Sequence, residues 1–291
     1  MVVMMMMMMR WAIKVVVVLV LVTATSFVSS ATASTTQGGE RKSINTIIVG
    51  GSSGMGAAAA LVTIKNGGRC MLVSRSETKL QQTKAVLLSK VPSADIETRA
   101  LDATNEHAVQ EFANELKNEE WDGLVISAAG KAPHGPFTDL PTKDARDMLE
   151  TKFWSAYHCS KYVSVKLRDG GSVVFVAGIL NRRPGMNCSP LAIANGALEG
   201  LTKSLALEWG PRLRCNCLSP GFCDTERFDH MTEDRKQAMF QNTAASLPLQ
   251  CIGKPKDMGE AIYYLLTAKF CTGVILDVDG GHGIRQYAKA Q

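Results

Sequence analysis

The sequence predicts an α/β domain, a doubly wound parallel sheet of seven strands with helices on both faces. Three observations predict it. From residue 44 onward, short apolar runs rich in β-branched residues alternate with helix-length segments. The runs are continuously apolar, as for parallel strands buried on both faces. The first of them ends in glycines that open a helix. A content of 46% hydrophobic and 20% charged residues over 291 residues is globular, and the chain is long enough for a full core. The net charge is only +5, and Arg10 and Lys14 supply two of those charges in a separate leader, so no basic groove for nucleic acid is indicated.

Each element follows from its own residues. Ile44–Val49 is a strand, and Gly54–Lys65 the helix after it. Arg69–Ser74 (strand), Glu77–Lys90 (helix), Ile96–Leu101 (strand) and Glu106–Lys117 (helix) continue the alternation. Gly123–Ser127 is the fourth strand, Lys143–Leu167 one long helix, and Ser172–Val176 the fifth strand. The chain closes with a helix at Leu191–Trp209, a strand at Leu213–Leu218, an irregular excursion to Lys254, a helix at Lys256–Ala268 and a strand at Gly273–Val278. Seven strands in this order make a single Rossmann-type domain over residues 44–291, with ligands at the carboxyl ends of the strands.

Residues 1–39 are a different kind of sequence. They carry no acidic residue, and Arg10 and Lys14 precede the apolar run Val15–Val22. Small residues follow, through Ala31-Thr32-Ala33. This is the order of a secretory signal peptide. As a helix the run spans about 12 Å, short of a bilayer core of about 30 Å. A signal anchor that recruits the Met run is the rival reading. Ala24-Thr25-Ser26-Phe27 resembles the junction of bipartite plastid presequences, and six Ser/Thr follow in the thirteen residues Phe27–Gly39. The expected routes are therefore the secretory pathway, ending in the endoplasmic reticulum lumen or outside the cell, or a plastid. No stable membrane domain is expected after processing.

The eight cysteines include no C-x-x-C, and no histidine lies between His158 and His230. No metal site is predicted. Cys215 and Cys217 fall at i, i+2 on a strand, pointing to one face, and buried free thiols are expected there.

The chemistry begins at Gly50-Gly51-Ser52-Ser53-Gly54-Met55-Gly56, followed by four alanines. Gly50, Gly54 and Gly56 permit a tight turn that brings backbone N–H groups to a pyrophosphate at a helix N-terminus. A strand before and a helix after make this a nucleotide-binding loop. An NAD-preferring protein places a carboxylate at the end of the second strand for the ribose 2′-OH. Here that position is Ser74, followed by Arg75. A guanidinium, helped by Ser52 or Ser53, suits a 2′-phosphate, so NADP(H) is the expected cofactor.

From about residue 44 to the end the chain resembles the short-chain dehydrogenase/reductases. The resemblance rests on the glycine loop, on Leu101-Asp102-Ala103, on Ser127-Ala128-Ala129-Gly130 and on Asn216–Gly221 with Thr225. It extends to Gly253–Asp257 and Asp279-Gly280-Gly281. It implies that Asp102 and Ala103 meet the adenine. It also implies that Ala128, Ala129 and Gly130 line the cofactor, and that Pro220, Gly221 and Thr225 face the nicotinamide end. Further implications are a small-molecule substrate, a variable lid over about residues 222–251, and a homo-oligomer, dimer or tetramer.

The family's catalytic residues do not carry over. Leu191 stands for its Tyr, Asn195 for the Lys four residues on, Gly178 for the Ser after the fifth strand, and Lys152 for the Asn of the preceding helix. Tyr157 and Lys161 fit Tyr-x-x-x-Lys by letter but precede the fifth strand, so they are a decoy. Lys152 is the candidate proton donor, since desolvation would lower its pKa toward neutrality. Ser189 and Cys188 lie beside the lost Tyr, and Arg182 and Arg183 are candidates to grip an anionic substrate. Two functions remain. One is an NADP(H)-dependent oxidoreductase with an altered proton donor, acting on a carbonyl, imine or activated C=C. The other is a non-catalytic NADP(H)-binding sensor or scaffold.

Overall fold

A computed structural model describes residues 43–284 apart from Glu119. The presequence read over residues 1–39 and the last residues of the chain lie outside the described residues. Seven parallel strands are ordered β3-β2-β1-β4-β5-β6-β7. They are β1 (Thr46–Val49), β2 (Cys70–Ser74), β3 (Ile96–Ala100), β4 (Trp121–Ile126), β5 (Leu167–Val176), β6 (Leu213–Pro220) and β7 (Ile275–Val278). The strand order reverses between β1 and β4, the switch point where open α/β sheets hold ligands.

Period-two alternation sends successive side chains into two separate cores. Ile47, Val49, Val173, Phe175, Cys215 and Cys217 pack on one face. Ile48, Leu72, Val125, Val174, Val176 and Leu218 pack on the other. The first face is covered by α3 (Glu106–Glu115), by α5 (Ser155–Val163), into which α4 (Thr142–Leu149) runs, and by α6 (Ser189–Trp209). The second is covered by α1 (Gly54–Lys65), α2 (Glu77–Lys90) and α8 (Pro255–Thr267). The small residues of α1 allow a close approach: a Cβ on Gly259 of α8 would lie 2.7 Å from the Ala58 carbonyl. Ser76 and Asn105 cap α2 and α3 by accepting from the Lys79 and Ala108 N–H groups.

Three expectations need correction. The long helix does not run unbroken from Lys143 to Leu167. A π-helical turn, Glu150–Trp154, interrupts it, and it ends at Val163 before a short 3₁₀ turn. The fifth strand starts at Leu167, because Gly170-Gly171 continues the chain into the sheet rather than ending a loop. The excursion before Lys254 contains a helix, α7 (Glu233–Ala245). Cys215 and Cys217 are buried free thiols, as expected.

Candidate functional site

The glycine loop and the loop after β4 meet at the switch point. Gly50 has φ +86°, and a Cβ there would lie 2.6 Å from the Ala128 nitrogen. A Cβ on Gly56 would lie 2.2 Å from the Gly50 carbonyl oxygen, so only glycine fits. The Gly50 and Gly51 N–H groups donate to the Val73 carbonyl at 2.8 and 3.2 Å, which ties the loop to β2. The Ser52 carbonyl accepts from Thr83 Oγ1 at 2.7 Å, and Ser53 lies exposed ahead of Gly54 and the half-buried Met55.

The other residues expected to meet the cofactor follow the carboxyl edge of the sheet. Ser74 Oγ is buried and has no partner among the described residues, while Arg75 beside it is exposed. A hydroxyl and a guanidinium at this point fit a ribose phosphate. Asp102 is exposed and accepts from the Thr104 N–H and Oγ1, at 3.1 and 2.9 Å. The Ala103 carbonyl lies 3.3 Å from His158 Nδ1. Gly130, after Ala128 and Ala129, abuts the π-helical turn, where a Cβ would lie 2.6 Å from Thr151 Oγ1. Pro220 ends β6, and the Gly221 N–H donates to Val278. Thr225 stands against Gly54 together with Glu226, whose Oε2 is 3.4 Å from where a Gly54 Cβ would be. The lid thus leans on the glycine loop, a contact that spacing alone did not signal.

The residues around Lys152 form a buried polar cluster. Lys152 sits within the π-helical turn, a feature often found at functional sites, and only 6% of it is exposed. Its Nζ donates to the Val176 and Ala177 carbonyls at 3.2 and 3.1 Å, at the carboxyl end of β5. Burial pulls its pKa down to about 8; the Cys217 thiol on β6 opposes that shift, and Arg227 in the lid adds to it. Cys217 itself is pushed up to about 12 by burial.

Gly178 lies one residue beyond the end of β5, after Ala177, and Asn195 lies opposite on α6. A Cβ on residue 178 would be 2.9 Å from Asn195 Nδ2, so the missing side chain at 178 and the amide at 195 fit each other. Leu191, one turn before Asn195 on α6, is half-buried. Ser189 and Cys188 line a cleft of about 360 Å³ with Phe137, Pro184, Ala192 and Ile193.

Arg182, expected to face an anionic substrate, is engaged within the protein instead. Its guanidinium hydrogen-bonds both Asp277 carboxylate oxygens and Ser219 Oγ, the last at 2.7 Å, and forms an ion pair with Glu199 Oε1 at 3.1 Å. The decoy pair is engaged elsewhere: Lys161 bonds Glu106 of α3, and Tyr157 is 40% exposed. Sequence reasoning missed His282, which lines a second cleft of about 530 Å³ with Phe222 and α7. The turn after Asp279-Gly280-Gly281 was its only signal.

Residues 49–283 match the family described as Enoyl-(Acyl carrier protein) reductase. The human 3-oxoacyl-[acyl-carrier-protein] reductase is 29% identical over 231 residues, covering 78% of this chain and 92% of its own length. A probable NADP-dependent mannitol dehydrogenase from Yarrowia lipolytica is 29% identical over 215 residues, covering 70% of this chain and 76% of its own. A crystal structure of a small-chain dehydrogenase in complex with NADPH superposes with a TM-score of 0.69 at 28% identity, over 84% of this chain and 100% of the other. The glycine loop, the strand order and these matches agree, and the chain belongs to the short-chain dehydrogenase/reductase family.

Proposed function

We propose that this chain is an NADP(H)-dependent oxidoreductase in which Lys152 takes over as proton donor to a carbonyl, imine or activated C=C. The carrying observation is the buried Lys152 ammonium held on the Val176 and Ala177 carbonyls, beside a residue 178 that has no side chain. The cofactor half supports the same reading. The loop Gly50–Gly56 would hold the pyrophosphate, Arg75 and Ser74 the 2′-phosphate, and Pro220, Gly221 and Thr225 the nicotinamide end. The NADPH-bound structure and the NADP-dependent relative point to the same cofactor. When bound, that cofactor supplies the hydride. Lys152 supplies the proton, and its ammonium form is the acid.

The pH dependence has a definite sign. With a pKa near 8, Lys152 is protonated below that value and neutral above it. Reduction should fade as pH rises through about 8, and the reverse oxidation should strengthen. The test follows absorbance at 340 nm with NADPH and a panel of the three substrate classes. Lys152→Met should lower turnover by about 10²–10⁴ while NADPH still binds. Unchanged turnover in Lys152→Met would remove Lys152 from the mechanism. NADPH binding without turnover of any class would favour the sensor or scaffold.

A further inference from the structure

The turn that carries Asp102 is fixed from two directions. Along the chain, the Leu101 N–H donates to the Ser74 carbonyl at 2.9 Å, and the Asn105 N–H to the Asp102 carbonyl at 3.1 Å. These bonds hold the turn between the end of β2 and the start of α3. A further bond comes from α5. His158 Nδ1 lies 3.3 Å from the Ala103 carbonyl, and that oxygen can only accept, so Nδ1 carries the proton. The histidine is 8% exposed and its ring is held on other sides as well. It stacks on Trp154 with 6.1 Å between ring centroids, and its Nε2 lies 3.9 Å from Glu106 Oε2. Glu106 in turn accepts from Lys161 and from the Tyr162 hydroxyl.

One peptide plane links this histidine to the Asp102 carboxylate. A trans peptide unit is planar, with its C=O and N–H pointing opposite ways. The unit joining Ala103 to Thr104 is held at both ends: its carbonyl accepts from His158, and its N–H donates to Asp102 Oδ1 at 3.1 Å. Turning that plane would break both bonds. We infer that His158 is a positioning residue for the adenine end of the cofactor: through the Ala103-Thr104 peptide it orients the Asp102 carboxylate. The inference rests on the proposed NADP(H) binding, with Asp102 at the adenine, and adds a buried residue that acts through the backbone. Its effect should be blind to the 2′-phosphate, which sets it apart from that of Arg75.

Isothermal titration of the whole chain with NADPH and with NADH tests the link. His158→Phe keeps a ring against Trp154 and loses the donor. It should weaken both nucleotides by the same factor, about 2–10-fold, because the adenine is common to both. An asparagine can place an amide N–H where Nδ1 stands, and a glutamine only where Nε2 stands. His158→Asn should therefore bind as the native chain does, and His158→Gln should not. Asp102→Ala should weaken both nucleotides as well. Adding His158→Phe to it should cost little more, because the histidine acts through that carboxylate. If His158→Phe fails to fold, the Asn and Gln variants carry the comparison. Thermal unfolding without nucleotide separates packing from positioning. Variants that melt lower but bind both nucleotides as tightly as the native chain overturn the inference. So does a loss confined to NADPH, or full additivity with Asp102→Ala. The two readings fail separately. A native chain that binds neither nucleotide refutes the proposed function and the inference with it. A native chain that binds both, with affinities untouched in His158→Phe and His158→Gln, refutes the positioning role alone.

Discussion

The two halves of the site are built under different constraints. Around β1, α1 and β2 the glycine loop keeps its form, and every backbone approach that needs glycine has it. Around β5 and α6, Lys152, Gly178, Leu191 and Asn195 form a cluster that is neither empty nor apolar. It keeps one lysine and one asparagine on facing helices, with the asparagine closed against Gly178. Binding a dinucleotide depends on backbone shape, which tolerates almost no substitution. Moving a proton depends on where a titratable group can be held, and the end of β5 offers carbonyls to more than one such arrangement. The first half is therefore held by backbone shape, and the second by the placement of side chains.

Substitutions can break or sharpen that contrast. The largest effect is expected around the glycine loop. Gly56→Val would drive a Cβ to 2.2 Å from the Gly50 carbonyl. It should cost about 3 kcal/mol or more and abolish nucleotide binding, as read by thermal unfolding with and without NADPH. Arg75→Glu comes next. It should weaken NADPH by about 10–100-fold and leave NADH nearly unchanged, because a charge-assisted bond of roughly 1.5–3 kcal/mol is made only to the 2′-phosphate. Equal losses for both cofactors in isothermal titration would place the 2′-phosphate elsewhere. The smallest effect is expected in the half around Lys152. Gly178→Ser should destabilise the fold by about 1–2 kcal/mol through its clash with Asn195, and Asn195→Ala should relieve it. A double-mutant cycle on melting temperatures that shows simple additivity would mean the two positions are not coupled.

The sheet was legible because its strands are apolar on both faces, a signal that needs no partner to be read. The helix α7 was not, because it buries none of its residues and so carries no apolar period. Gly170-Gly171 concealed the first half of β5 because paired glycines usually mark a turn. The glycine loop, Arg75 and Lys152 could be named from order along the chain. What Lys152 holds could not, because its partners are backbone carbonyls 24 and 25 residues away. The fit of Gly178 to Asn195 was hidden for the same reason: it is a relation between two elements, and neither residue announces it alone. Arg182 misled because an arginine after a strand end looks available until its carboxylates are seen.

Those carboxylates give the cleft an asymmetric mechanics. Arg182 fastens the segment after β5 to α6 through Glu199, to β6 through Ser219 and to β7 through Asp277. A wall riveted at three points does not swing. The opposite wall, the turn Glu226–Phe228 with α7, buries none of its residues and rests on Gly54 through one carboxylate and one threonine. Substitutions in the lid should alter how fast ligands enter and leave, and substitutions at Arg182 should alter whether the reacting groups stay in register.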